Sequence, residues 1–181
     1  QLVEYVGRAA PRNARVTVDA GAHMFSAMGL WTATEPSGVL ISDGLSTMGY
    51  ALPAAIASTL EEPDRPVVCF TGDGGLMMVL GELATAAQMG GKLVVVVFND
   101  SALSLIDIKQ QKRQMPTRGV RYPRTDFAAI ARGCGMAAWS AADAASLDRA
   151  LAEAFASGKP ALIDVAVDPS PYPAQLDALR G

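Results

Sequence analysis

Asp73 and Asp100 are the residues of this chain best placed to do chemistry. Asp73 lies in the run Thr71-Gly72-Asp73-Gly74-Gly75, which closes the apolar stretch 67–70. Asp100 follows Asn99 at the end of a second apolar stretch, 93–98, with 24 residues between Gly74 and Asn99. Each acid then falls at the C-terminal end of a strand, the edge at which open parallel α/β sheets bind ligands. Two carboxylates sharing that edge suit a hard cation such as Mg2+, which takes octahedral oxygen coordination from one or two carboxylates plus phosphate oxygens. A backbone carbonyl shortly beyond Asp100 can add a third protein oxygen. Glycines 72, 74 and 75 let phosphate approach the backbone, and the amides of the following helix point at it with a favourable dipole. The plain alternative is a tight turn with Asp73 capping a helix, since Gly-Asp-Gly is a common turn composition. The second acid at the same edge favours a metal-diphosphate site.

The elements that must position these acids read as alternating strands and helices. Apolar runs at 16–19, 39–42, 67–71, 93–98, 137–140 and 161–167 alternate with segments of helical period, the signature of βα units around a mostly parallel sheet. The expected fold is therefore a three-layer, doubly wound α/β domain, with a mostly parallel six-stranded sheet and helices on both faces. Four consecutive valines, 94–97, need burial on both faces and predict a central strand. Helices are expected over 48–60, 76–89, 127–133 and 144–157, with an amphipathic helical stretch at 2–10. Ser46 or Thr47 would cap the first of the four, with Pro53 in its opening turns, and Gly90-Gly91 would close the second. The polar, basic segment 110–124, with Pro116, Gly119 and Pro123, reads as a mobile surface loop.

Composition narrows the function. The 181 residues, half of them hydrophobic, make one domain with a sizeable core and are too few for two ordinary ones. A net charge of -3 with no basic block excludes a nucleic-acid surface. No apolar run is long enough to span a membrane, and neither a membrane span nor a signal peptide is indicated by the residues. Cys69 and Cys134 lack metal-ligand spacing and fit a reducing compartment, so the cytoplasm is expected. The chain starts at Gln1, consistent with a trimmed chain or with a domain excised from a longer protein.

The spacing from the Gly-Asp-Gly run to Asn99-Asp100, with Glu82-Leu83-Ala84-Thr85-Ala86 on the intervening helix, resembles thiamine diphosphate dependent enzymes. The likeness is to their diphosphate-binding C-terminal domain, in the acetolactate synthase-like group. Three more stretches carry it in the family's order: Val18-Asp19-Ala20-Gly21-Ala22-His23, the run from Gly44 through Ser46-Thr47-Met48-Gly49-Tyr50 to Ala55, and the closing 165–173. The resemblance implies thiamine diphosphate and Mg2+ as cofactors. Asp73 and Asp100 would bind the magnesium through side chains and Ala102 through its carbonyl. Gly72, the amides of Gly74 and Gly75, His23 and the backbone of Ala102, Leu103 and Ser104 would hold the diphosphate, with Ser46 nearby. Met48 takes the position of the large apolar residue on which the cofactor bends, and Leu105 and Ile106 would border the substrate space.

Four positions depart from the family pattern. Asp100 stands where many members have Asn, although an acid there looks familiar among catabolic acetolactate synthases. Gly75 replaces a serine often found after the motif, Ser46 a glycine often found two before the Met, and Ala22 a Gln of the anabolic enzymes. His23, the only histidine, reads as a structural or cofactor-contacting residue rather than a proton shuttle. Lys109, Lys112, Arg113 and Arg118 form a basic cluster that would meet an acidic substrate or coenzyme A, or else a solvated loop. Cys69 reads as a core residue.

The family activates its cofactor with a glutamate on a pyrimidine-binding domain of a neighbouring subunit. Glu35, Glu61, Glu62, Glu82 and Glu153 match no such role, so the resemblance implies a fragment or one subunit of a longer enzyme, without a catalytic residue of its own. Its expected partners are that pyrimidine-binding domain, a small 2-oxo acid substrate and further copies in a homo-oligomer. The implied reaction is carboligation by an acetolactate synthase-like transferase, or decarboxylation by a lyase of the same family. A non-catalytic cofactor-binding or assembly module is the reading of another class. A magnesium-dependent phosphatase or nucleotide binder has no phosphate-loop lysine to support it.

Overall fold

In the computed structural model, which describes residues 1–180, the chain runs α1 (Leu2–Ala9), β1 (Arg15–Val18), α2 (Ala22–Leu30), β2 (Val39–Ile41), α3 (Ala51–Glu61), β3 (Val67–Gly72), α4 (Asp73–Met78), α5 (Glu82–Met89), β4 (Leu93–Asn99), α6 (Ser104–Lys112), α7 (Phe127–Gly133), β5 (Ala137–Ala141), α8 (Ala144–Ser157), β6 (Ala161–Ala166) and α9 (Tyr172–Arg180). The strands form one sheet in the order β2-β1-β3-β4-β6-β5, with every pairing parallel. This is the expected three-layer α/β architecture. The valine-rich β4 lies inside the sheet, between β3 and β6, buried along its whole length.

Alternation along the strands builds two cores. Val68, Phe70, Val94, Val96 and Ile163 face α1, α2 and α8, while Val67, Cys69, Val95, Val97 and Leu162 face α3, α4, α5 and α7. Successive side chains of a strand point to opposite faces, so an unbroken apolar run supplies both layers at once. The connection out of β1 leads to one side of the sheet and that out of β3 to the other. The C-terminal ends of β1 and β3 therefore flank the topological switch point, where this architecture leaves a crevice.

Several local expectations need correction. The helix expected over 48–60 begins at Ala51, and neither Ser46 nor Thr47 caps it. The Asp19 carboxylate reaches across from the end of β1 instead, accepting from Gly49 N (3.1 Å) and Tyr50 N (3.0 Å). The helix expected over 76–89 is broken at 79–81, because α4 starts early, directly at Asp73, and α5 sets off anew at Glu82. Gly90 and Gly91 close α5 with positive φ, 74° and 96°. The segment 110–124 is not a free loop: α6 occupies its first part, and the remainder is tied back to α6. Asp107 accepts from Gln111 Nε2 (3.0 Å), Thr117 Oγ1 (2.9 Å) and both Nε and Nη2 of Arg121 (3.1 and 2.8 Å). Sequence patterning misses this clamp because its members are polar and their pairing is tertiary. Helices α2, α6 and α9 were likewise not expected.

Candidate functional site

The segments that follow β1, β3 and β4 surround a cavity of about 320 Å³ at the switch point. His23 and the Gly72-Asp73-Gly74-Gly75 run line it from the ends of β1 and β3. Asp100, Ala102, Leu103, Ser104 and Leu105 line it from the end of β4, and Ser46 and Met48 from the loop before α3. Every site residue singled out from the sequence thus reaches one space, and Ile106 does as well.

The two acids line that space, accepting from neighbouring amides of the 101–102 loop, without a cationic partner; among the described residues, no Lys, Arg or His pairs with either. Asp73 accepts from its neighbour Gly74 N and from Ser101 N, both at 2.7 Å. Asp100 accepts from Ala102 N (3.1 Å) and Ser104 Oγ (2.6 Å). Burial, and then the charge of Asp100, push the Asp73 carboxyl up to about 6, and burial also raises Asp100. A buried carboxylate raised further by the charge of a second one beside it is an arrangement that a divalent cation relieves. Among the described residues no third His, Cys, Asp or Glu joins them. The loop that carries Ala102 is stapled by an antiparallel bridge to Arg121, through Leu103 N to Val120 O (2.8 Å) and Tyr122 N to Ser101 O (3.1 Å). That ladder leaves the Ala102 carbonyl out of its hydrogen bonding.

His23 is buried, with its ring stacked obliquely on Phe98 at 5.2 Å between centroids. Desolvation lowers its pKa to about 4, so the imidazole is neutral at pH 7, and its buried Nε2 has no hydrogen-bond partner. An orphaned buried nitrogen on the wall of a cavity costs stability unless a ligand or water meets it. The glycines of the motif are required by the protein's own packing. A Cβ at Gly72 would stand 3.0 Å from His23 Nδ1, and one at Gly75 would stand 2.1 Å from Asp19 Oδ2. The side chain absent at Gly75 is therefore the space in which Asp19 sits. Ser46 takes φ 48°, a left-handed conformation that glycine adopts freely, which accounts physically for the glycine familiar at this position.

Three contributors were not assigned a role from the sequence. Asp19, fully buried, links the end of β1 to the start of α3 and to Thr71 Oγ1 on β3 (3.0 Å). Its signal was an acid at the end of a third strand of the same edge. Tyr122 projects its hydroxyl to within 3.2 Å of where a Gly74 Cβ would lie. Burial, then the charge of Asp73 and the hydroxyl's approach to that carboxylate, raise its pKa. Tyr172 on α9 packs with Ala22, Phe25, Leu105 and Ile108, and it lines the cavity with Ala22, Phe25 and Leu105, near enough to Asp100 and Asp73 that, after burial, their charges raise its pKa. Of the basic cluster, Lys109 lines the cavity while Lys112 pairs with Asp177. No helix among the described residues is long and apolar enough to cross a membrane.

Residues 19–165 match the family described as "Thiamine pyrophosphate enzyme, C-terminal TPP binding domain". The chain is 36% identical over 171 residues to the large subunit of acetolactate synthase isozyme 1 from Escherichia coli (strain K12), a match covering 92% of this chain and 30% of that protein. It is 34% identical over 183 residues to the acetolactate synthase large subunit of Haemophilus influenzae, covering 97% of this chain and 32% of that protein. A catabolic acetolactate synthase of Raoultella terrigena is 32% identical over 154 residues, covering 84% and 27% respectively. The chain spans about a third of the length of these relatives. With the match over most of its length and the motif order of that family, the chain belongs to the thiamine pyrophosphate enzymes as a C-terminal TPP-binding domain of the acetolactate synthase-like group.

Proposed function

We propose that this chain anchors thiamine diphosphate through Mg2+ and forms the cofactor-holding half of a 2-oxo acid carboligase of the acetolactate synthase type. One observation carries the reading: the unpaired acids at the ends of β3 and β4 share a cavity with the orphaned His23 Nε2 and the Met48 loop. Asp73 and Asp100 would hold the cation by their carboxylates and Ala102 by its carbonyl. The first amides of α4, His23 and the backbone of 102–104 would meet the diphosphate. When bound, thiamine diphosphate supplies the electron sink that decarboxylation of a 2-oxo acid requires. The chain's own part is to hold the cation that offsets the diphosphate charge, to orient, and to keep water from the reacting centre with the apolar wall of Met48, Leu105 and Tyr172. The relatives named acetolactate synthases favour carboligation over simple decarboxylation.

The catalytic glutamate belongs, on this reading, to a pyrimidine-binding domain of the same or a neighbouring subunit in a homo-oligomer. Leu45, Met78 and Ile106, which are 89%, 63% and 42% exposed on segments bordering the cavity, offer that partner an apolar seat. The test is turnover: this chain alone, given pyruvate, cofactor and Mg2+, releases no carbon dioxide above background, and a complete enzyme carrying it does. Turnover by the chain alone would overturn the half-site reading, and an inactive complete enzyme that still binds cofactor would favour a non-catalytic module.

A further inference from the structure

The loop 46–50 brings Met48 to the cavity, and two of its residues take left-handed backbone, Ser46 at φ 48° and Gly49 at φ 80°. It lies outside regular structure, between the end of β2 at Ile41 and the start of α3 at Ala51. Upstream of Met48, Ser46 N donates to Ser42 O (3.0 Å) and Thr47 N to Ser42 Oγ (3.1 Å), in an exposed turn. Downstream, the next two amides, Gly49 N and Tyr50 N, both donate to the carboxylate of Asp19, which is fully buried. Bonds accepted by a carboxylate sheltered from water are the stronger kind. On its far side Gly49 packs against the end of α4, where an added Cβ would stand 2.9 Å from Val79 Cγ1. Held from both sides, the loop sets the Met48 Cε methyl 3.6 Å from where a Gly74 Cβ would lie, over the glycine motif. A methionine side chain rotates on three bonds, so its reach is defined only as well as its backbone is.

We propose that Asp19 is a positioning residue: through the Gly49 and Tyr50 amides it fixes Met48 as the surface against which the ring half of the cofactor packs. The proposal rests on the function proposed above. Asp19 is not among the described residues that line the cavity, so it meets no ligand itself and acts through what it holds. A thioether methyl offers a phosphate no hydrogen-bond donor, whereas an aromatic ring is stabilised by contact with it. Misplacing Met48 therefore weakens binding of the rings and leaves that of the diphosphate untouched. Asp19 also accepts from Thr71 Oγ1 (3.0 Å) beside the motif, so the competing role is support of the diphosphate end. Asp19→Asn keeps the shape of the side chain but leaves one acceptor oxygen. The amide nitrogen must then face the Gly49 or the Tyr50 N–H, donor against donor.

The experiment titrates the full chain, in the presence of Mg2+, with thiamine diphosphate and with methyl diphosphate, which keeps the diphosphate and has no rings. The readout is the ratio of the two affinities in wild type, D19N, M48A and D19N/M48A. Wild type prefers thiamine diphosphate, and in D19N the preference falls about fivefold, the size of a lost sulfur–aromatic contact, with methyl diphosphate binding unchanged. In the M48A background D19N moves the ratio no further. Gly49→Ala, which pushes the loop off Val79 with Asp19 intact, reproduces the selective loss and carries the test if D19N does not fold. Equal affinities in wild type, or a ratio unchanged in D19N or in G49A, overturn the proposal. So does an equal loss for both ligands in D19N, which would assign Asp19 to the diphosphate end through Thr71, and so does a fall of the same size that persists in the M48A background. If wild type binds neither ligand, the proposed function itself fails, an outcome distinct from an unchanged ratio in a chain that binds both.

Discussion

Replacing Asp100 by Asn separates what the acid pair costs the fold from what it contributes to metal binding. The substitution keeps the local geometry: the amide oxygen still accepts from Ala102 N, and the amide nitrogen can donate to Ser104 Oγ, whose hydroxyl rotates to accept. What is removed is the charge beside Asp73. The Asp73 carboxyl is held at about 6 against 3.8, by burial first and by Asp100 second. At about 1.4 kcal/mol per pKa unit, ionising Asp73 in the fold costs at most roughly 3 kcal/mol. Burial accounts for the larger part and solvent at the open cavity screens the rest, so the share of Asp100 is about 1 kcal/mol. A carboxyl whose folded pKa lies above its unfolded one keeps a proton that the unfolded chain has released. Stability therefore declines as pH climbs from 3.8 towards 6 and stays lowered above it. Without Mg2+ at pH 7.5, D100N should unfold about 2–4 °C higher than wild type, the shift that about 1 kcal/mol produces in a domain of this size. At pH 4.5, where Asp73 is protonated, the gain should vanish. Added Mg2+ should stabilise wild type more than D100N at pH 7.5. Thermal unfolding followed by circular dichroism reads all three. An equal effect of D100N at both pH values, or equal stabilisation of the two proteins by Mg2+, would refute the reasoning.

Two further outcomes follow from the same geometry. His23, as the only histidine, gives a single imidazole titration by proton NMR, with an expected pKa of about 4; a value near 6.5 would mean that the ring is not buried. Since its folded pKa lies below its unfolded value, His23 withdraws stability as pH falls from 6.5 towards 4. Asp107→Ala should free the segment after α6: trypsin cleavage at Arg113 and Arg118 should accelerate at least fivefold. Loss of the hydrogen bonds to the Asp107 carboxylate should lower stability by about 1–2 kcal/mol, with Arg121 left in solvent.

The sheet was legible chiefly through β3 and β4, whose apolar runs at 67–70 and 93–98 are buried on both faces, as a central parallel strand requires. The acids were legible because a strand end, a glycine turn and an acid recur at one edge. Less legible was whatever depends on partners distant in sequence. Asp19 caps α3 from 30 residues away, a link that no local capping pattern contains. The segment 110–124 has the composition of a loop, yet Asp107 and the bridge at Ala102 hold it and bring Tyr122 over Gly74. The break in the helix expected over 76–89 was hidden because Val79, Leu80 and Gly81 leave the apolar period nearly intact.

The central claim is that the acids at the ends of β3 and β4 hold a magnesium-bound diphosphate. Calorimetric titration of the chain with thiamine diphosphate, with Mg2+ and again with the metal chelated, tests it directly, using D73A as the control. Saturable binding that disappears with the metal and is lost in D73A is the predicted result. Equal binding without Mg2+, or binding of an adenine nucleotide in place of thiamine diphosphate, would contradict it.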